Sequence, residues 1–263
     1  MAFHIEILPA FSDNYIFVIS DADLGLAMVV DPGDAAPVMK YLQAKDLHLA
    51  LILNTHHHKD HIGGNEKLAK AYGAPIIGPA AESARIGDMS RSVRQGDIVT
   101  FSSLRGQVIE THGHTAGHIA YYFPELKALF SGDTLFSLGC GRLFEGTAAQ
   151  MWASLKTLRA LPDDTLIYAA HEYTEANAKF ALAVDRKNEA LKSRVAEVIA
   201  WRKEGRATIP TLLSVEKLTN PFLRADDVLF QKALGHIGLA AEGTDPAAVF
   251  GALRTAKDRF GAA

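Results

Sequence analysis

The chain has 263 residues, with 27 basic against 30 acidic side chains for a formal net charge of −3, 48% hydrophobic and 22% charged residues. This is the mixture of an ordinary globular protein long enough to bury a full core, and no run approaches the ~18 apolar residues of a membrane span. The charge balance recommends neither nucleic acid nor an anionic membrane as partner, and the single Cys140 excludes both an intrachain disulfide and a thiolate-rich zinc site.

The opening MAFHIEILPAFSDNY has Glu6 and no Lys or Arg ahead of its apolar residues, so it reads as a first strand rather than a targeting segment, and a cytoplasmic protein is expected. Residues 14–19 (NYIFVI) and 25–31 (GLAMVVD) are β-rich runs around a turn-prone connection and predict a hairpin. Residues 34–45 read as a helix. LALILN at 49–54 is a continuous apolar run of strand length, as for a strand buried on both faces. A short helix over 65–72 is stopped by Gly73. Strand-like runs recur at 97–101, 106–111, 118–123, 126–130 and 164–169, with a helix at 148–160 between the last two. From about 174 the strand signal vanishes. Segments 174–184, 186–204, 225–234 and 245–260 read as helices, the last with Asp245 as N-cap and Pro246 in its first position. A domain change is therefore placed at 173.

The strand at 49–54 runs into THHHKDHIGG, where His56, His58, Asp60 and His61 form H-x-H-x-D-H. Neither a strand nor a helix face gathers these positions. A loop at a strand end can turn all four inward, where imidazole and carboxylate suit zinc, iron or manganese. Gly63 and Gly64 are expected to let the backbone turn sharply into the next helix, and His57 to point away as a spacer. Strand, then His or Asp, then a turn recurs in THGHTAGH at 111–118, LFSGDTLF at 129–136 and LIYAAHEY at 166–173, which offer His114, Asp133 and His171. Each instance alone is weak, because strand-end polar residues often only cap the chain. Together they specify one rim.

The pattern THxHxDH followed by a distant His, Asp and His resembles the metallo-β-lactamase superfamily, and it is met here by THHHKDH, His114, Asp133 and His171. The resemblance implies an α/β fold, a four-layer αββα sandwich carrying metals at one edge. It implies two divalent ions, zinc with iron or manganese as alternatives, one held by His56, His58 and His114 and the other by Asp60, His61 and His171. Asp133 would bridge them, and Asp60 and Asp133 are the residues assigned to catalysis. His112 and His118 match no ligand position and read as polar support.

Within the superfamily, SLGCGRLFEGT at 137–147, AHEYT at 170–174 and TNPFLR at 219–224 are similar to segments of the hydroxyacylglutathione hydrolases, or glyoxalase II, over nearly the whole chain. That resemblance implies a catalytic domain over 1–173 and an α-helical substrate-binding domain over 174–263. It also implies hydrolysis of S-(2-hydroxyacyl)glutathione, such as S-D-lactoylglutathione, by a metal-bridging hydroxide. The glutathione portion would meet Arg142, Tyr173, Arg254 and Lys257, and also Phe144, which stands where some members have tyrosine and so lacks a hydroxyl. The last helix itself places Arg254 and Lys257 together beside an apolar stripe of Val249, Leu253 and Phe260. A thiolate leaves unaided, so no extra acid is required. The expected partner is a small-molecule thioester, with no nucleic acid and no membrane, and the expected state is a monomer. Two other readings remain: a mononuclear iron persulfide dioxygenase of the same fold, for which the basic helical tail is not expected, and a non-catalytic metal-binding module, for which missing ligands are expected.

Overall fold

The computed structural model describes residues 3–240 and 243–260; residues 1 and 2 of the expected first strand lie outside them. The chain divides into two compact units, Met1–Glu110 with Gly117–Gly132, and Thr111–Ala116 with Asp133–Ala263.

In the first unit, β1 (Phe3–Ala10), β2 (Asn14–Asp21), β3 (Leu26–Val30), β4 (His48–Leu53), β5 (Ile76–Pro79) and β6 (Arg91–Val93) form one sheet in that order. The first three are antiparallel neighbours, and β3 to β6 run parallel. Parallel neighbours need crossovers. These are α1 (Ala35–Lys45), then α2 (Lys59–Ile62) with α3 (Asn65–Tyr72), and α4 (Ser83–Ile86) before β6. Asp34 caps α1 by accepting from the Ala36 N–H, and Gly73 ends α3 in the left-handed region at φ 68°, as its position in the sequence predicts. A second set of strands, β7 (Ile98–Phe101), β8 (Leu104–Glu110), β9 (Ile119–Phe123) and β10 (Ala128–Gly132), is an antiparallel meander.

Strand β2 is buried along its whole length, and its alternation serves both faces. Ile16 and Val18 join Val38 and Leu42 of α1 in one apolar cluster, while Phe17 on the other face meets Phe130 of β10 with ring centroids 5.5 Å apart. The polar ligand segment therefore starts where a strand buried in this core, β4, runs out at Leu53.

In the second unit, β11 (Leu135–Phe136) and β12 (Gly139–Cys140) form a minimal hairpin, followed by α5 (Ala148–Arg159), opened by a capping box of Thr147 and Gln150. Strand β13 (Leu166–Ala169) precedes α6 (Thr174–Val184) and α7 (Glu189–Lys203). Then come β14 (Thr211–Leu212), α8 (Leu213–Thr219), α9 (Val228–Gly235) and α10 (Pro246–Arg259). Strand β14 pairs antiparallel with β13, so the strand signal does not wholly vanish after 174; two residues are too few to leave a period. Helix α10 buries Val249, Phe250 and Leu253, with Phe250 against Trp152 of α5 and Phe222.

Glu216 on α8 is fully buried, and burial raises its carboxyl pKa against the opposing pull of its hydrogen bonds. It accepts from the Leu138 N–H (2.7 Å), Ser137 Oγ and Thr211 Oγ1 (2.9 Å each) and Asn220 Nδ2 (3.1 Å). These bonds hold Leu138, a non-glycine residue at φ 56°, in the turn between β11 and β12. Replacing Glu216 with alanine leaves those donors buried without their acceptor and should cost about 2–4 kcal/mol in urea unfolding, with Glu216→Gln losing less. An unchanged unfolding midpoint for Glu216→Ala would show that the turn is held by other contacts.

Candidate metal centre

The loop after β4 and the one-turn helix α2 carry the first donor set. His56 and His58 lie in the loop, and Asp60 and His61 are on α2, so the expected loop is partly a helical turn. His56 Nε2 and His58 Nδ1 face each other at 3.0 Å, and Asp60 Oδ2 stands 3.5 Å from His61 Nε2. Gly63 and Gly64 have ordinary helical φ values of −60° and −86°, which corrects the expectation of a sharp turn. Their role is close approach: a Cβ on Gly63 would fall 2.5 Å from the Gly33 carbonyl, and one on Gly64 2.5 Å from that of Pro32.

The orientation of these imidazoles comes from Asp31, a residue the motif did not single out. Its carboxylate accepts from the Thr55 N–H (2.8 Å), from the Thr55 hydroxyl (2.6 Å) and from His61 Nδ1 (3.0 Å). Because the Thr55 hydroxyl donates to Asp31, its oxygen accepts from His56 Nδ1 at 3.0 Å. Both rings thus carry their proton on Nδ1 and present an Nε2 lone pair. Asp31, His56 and His61 each bring a ligand atom within 4.8 Å of the others, but the Asp31 oxygens are committed to these bonds, so it supports the donors rather than joining them. Asn14 steadies Asp60 through a 2.9 Å bond to Oδ2. His57 does not point idly away; its Nδ1 meets Glu82 Oε2 at 2.7 Å in the interior, and Glu82 also accepts from the Gly117 N–H. His118 is buried with its ring 4.9 Å from that of His56, in keeping with polar support.

The second unit holds the other predicted donors. Asp133 lies between two imidazoles, with Oδ2 3.3 Å from His114 Nε2 and Oδ1 3.4 Å from His171 Nε2. His114 Nδ1 donates to the Arg142 carbonyl at 3.0 Å, which again fixes the tautomer that presents Nε2. Divalent ions bind nitrogen and oxygen at about 2.0–2.2 Å, which in tetrahedral geometry sets two donors about 3.3 Å apart. The spacings in each unit, 3.0–3.5 Å and 3.3–3.4 Å, match that requirement. The all-nitrogen-and-oxygen donor chemistry of these groups suits divalent cations.

His114 and Asp133 also line a cavity of about 500 Å³ in the second unit, together with Arg142, Phe144, Tyr173, Arg254 and Lys257. All five sequence-predicted substrate contacts are therefore gathered there. Tyr173 stacks on His171 at 4.7 Å with a 4° interplanar angle, and Phe144 sets its ring edge-on to His114 at 5.1 Å. Arg254 is buried at 5% exposure rather than lying on a solvated face; it donates to the Cys140 carbonyl (2.8 Å) and to Asp258 (2.9 Å). Lys257 donates to the Ala176 carbonyl, and its pKa is lowered by burial first and then by Arg254 and Arg142. Burial pushes the Cys140 thiol up to about 11, so it is no nucleophile. Gly139 and Gly141 do shape the turn: a Cβ on Gly141 would sit 1.9 Å from the Asp133 carbonyl. A larger groove of about 900 Å³, between Arg159, Asp185 and Leu229, contains none of the predicted site residues.

The fold and the donor pattern define a metalloprotein of a known superfamily: the metallo-beta-lactamase superfamily matches residues 10–171, and the hydroxyacylglutathione hydrolase C-terminus matches residues 172–260. The hydroxyacylglutathione hydrolase of Rhodospirillum rubrum is 49% identical over 256 residues, covering 97% of this chain and 98% of that protein. That of Ruegeria pomeroyi is 47% identical over 260 residues, covering 99% and 100%. Among solved structures, ETHE1 from Myxococcus xanthus is 30% identical with a TM-score of 0.59, covering 86% of this chain and 99% of that one. The chain belongs to the hydroxyacylglutathione hydrolase family of the metallo-β-lactamase superfamily. Its fold is the α/β, αββα type of that superfamily with a C-terminal α-helical domain.

The His57–Glu82 contact gives a test that separates support from ligation. His57→Ala should lower stability by about 1–3 kcal/mol, because Glu82 stays buried without its partner, while bound metal is unchanged. Thermal unfolding and elemental analysis measure both, and loss of metal would place His57 among the ligands.

Proposed function

We propose that the protein hydrolyses S-(2-hydroxyacyl)glutathione thioesters, such as S-D-lactoylglutathione, to glutathione and the 2-hydroxy acid. The observation that carries this reading is that the family match continues past the metal-binding part into residues 172–260, where Arg254 and Lys257 line one cavity with His114 and Asp133. The persulfide dioxygenase reading is not favoured, since the full-length relatives are hydroxyacylglutathione hydrolases.

In this reading His56, His58 and His114 hold one divalent ion, Asp60, His61 and His171 hold a second, and Asp133 bridges the two, with zinc the proposed metal and iron or manganese the alternatives. When bound, such ions lower the pKa of water and polarise a carbonyl oxygen. The protein's own residues do the rest. Asp31, Thr55 and the Arg142 carbonyl hold the imidazole tautomers, so ligand orientation precedes binding. Arg142 and Lys257 receive carboxylates of the glutathione portion, with Arg254 securing the turn they face. Phe144 and Tyr173 wall the path between these cations and the ligands. The departing group is a thiolate whose parent thiol has a pKa of ~8.5, so no proton donor is needed for it to leave. Residues 1–173 serve as the catalytic part and 174–263 as the substrate-binding part. We further propose a monomer acting in the cytoplasm on a small free thioester. The balanced charge supports a partner other than nucleic acid, and among the described residues no helix is long and apolar enough to cross a membrane.

Loss of thioester absorbance from S-D-lactoylglutathione, with purified protein of measured metal content, tests the activity; no turnover by metal-loaded protein would end the proposal. Asp133→Ala should lose bound metal and at least about 100-fold in turnover, because both neighbouring imidazoles lose the carboxylate between them. Lys257→Ala should raise KM for S-D-lactoylglutathione about tenfold with little change in kcat. The same variant should treat a lactoyl thioester of a small uncharged thiol like wild type. Equal KM values for the glutathione thioester would return Lys257 to a structural role.

A further inference from the structure

We infer that Glu172 is a positioning residue, whose carboxylate anchors the chain behind His171 and Tyr173 and so sets a metal donor and a substrate contact at once. This deepens the reading above and rests on it for the roles of those two neighbours.

Glu172 lies in the short connection between β13 and α6. In a chain leaving a strand, alternate side chains share a side. His171 and Tyr173 do so, since their rings stack at 4.7 Å with a 4° interplanar angle. Glu172, between them, turns the other way into the second unit, where its side chain is 7% exposed. Both of its oxygens are engaged there. Oε2 accepts from the Thr208 N–H at 2.8 Å, Oε1 accepts from the Thr208 hydroxyl at 2.7 Å, and Arg202 Nη1 of α7 stands 3.6 Å from Oε2.

The partner on the far side is itself fixed. Thr208 is fully buried, its carbonyl accepts from Arg194 Nη2 at 3.0 Å, and its hydroxyl meets that of Thr174 at 2.5 Å. Arg194 is buried in turn, with its guanidinium 5.1 Å from the centre of the Trp201 ring. Thr174 is the first residue of α6, so one cluster holds the chain at 172 and again at 174. Charge-assisted bonds to a buried carboxylate resist displacement more than neutral ones do. Any shift of Glu172 would move His171 and Tyr173 together, because it is bonded to both. The plainer role, a clamp that only ties the segment after α7 to its unit, predicts lost stability and nothing particular to either neighbour.

Zinc affinity of the full chain, measured by chelator competition, separates the two roles. Glu172→Ala should bind one zinc ion about tenfold more weakly, the ion assigned above to His171, and the other as wild type does. At saturating zinc its KM for S-D-lactoylglutathione should rise about fivefold, by more than kcat falls, because Tyr173 has lost its setting. Thr208→Val keeps the backbone bond to Oε2 and should show the same pattern at smaller size, while Thr208→Ser should match wild type. Leu234→Ala, a buried change on α9 of the same unit, should lower the unfolding midpoint and leave zinc affinity and KM alone. If Glu172→Ala does not fold, Thr208→Val decides. Wild-type affinity for both ions in the Glu172 and Thr208 variants, equal weakening of both ions, or the same pattern in Leu234→Ala would overturn the inference. No hydrolysis by metal-loaded wild type would remove the substrate reading, and the zinc measurement would still decide the part given to Glu172.

Discussion

The carboxylate of Asp31 is the point on which the first donor set depends. It is buried, and its three hydrogen bonds reach the Thr55 N–H, the Thr55 hydroxyl and His61. Through the hydroxyl it also sets the proton on His56. One side chain thus fixes the tautomer of two imidazoles and the exit of the chain from β4. The backbone is held to suit. Asp31 sits in the left-handed region at φ 50°, a conformation Asp tolerates better than most residues, and the Gly33 N–H returns to its carbonyl. Gly33 follows because a Cβ there would lie 1.8 Å from the Asp60 carbonyl. The sequence VVDPG therefore packs its turn directly against the ligand-bearing helix α2.

A single turn plays the corresponding part in the second unit, and it serves two ends at once. The Arg142 carbonyl orients His114, while Arg142 also lines the cavity of about 500 Å³. Gly141, one residue earlier, lets the chain pass against the Asp133 carbonyl. The approach to this turn is fixed from behind by Glu216 and Asn220, the latter donating to the Phe136 and Gly139 carbonyls. Arg254 closes it by donating to the Cys140 carbonyl. In the proposed function, ligand orientation and substrate contact are carried by the same few residues, and movement of the turn would disturb both.

The residues proposed as donors were legible in the sequence because ligand chemistry restricts residue type, and four of them fall within six positions after an apolar strand. The supporting residues were not. Asp31 precedes Pro-Gly at a strand end, where an acidic residue is ordinary turn chemistry, and only the fold brings it to Thr55 and His61. Glu82 pairs with His57 across 25 positions, so no local pattern announces it. Period marked Val249 and Leu253 of α10 as buried, whereas Phe260, expected in the same stripe, follows the helix and is exposed, and period alone does not separate a solvated basic pair from Arg254 buried against Phe222. Short pieces such as β14 and α8 left no period because they are held by partners distant in sequence.

The central claim, thioester hydrolysis by a centre of two divalent ions, is tested most directly by stripping the protein with chelator and measuring S-D-lactoylglutathione hydrolysis as metal is added back. The account predicts a rate that rises and reaches its plateau at two equivalents per chain. A plateau at one equivalent would contradict the dinuclear assignment, and a rate unaffected by metal would contradict the role given to His56, His58, Asp60, His61, His114, Asp133 and His171 altogether.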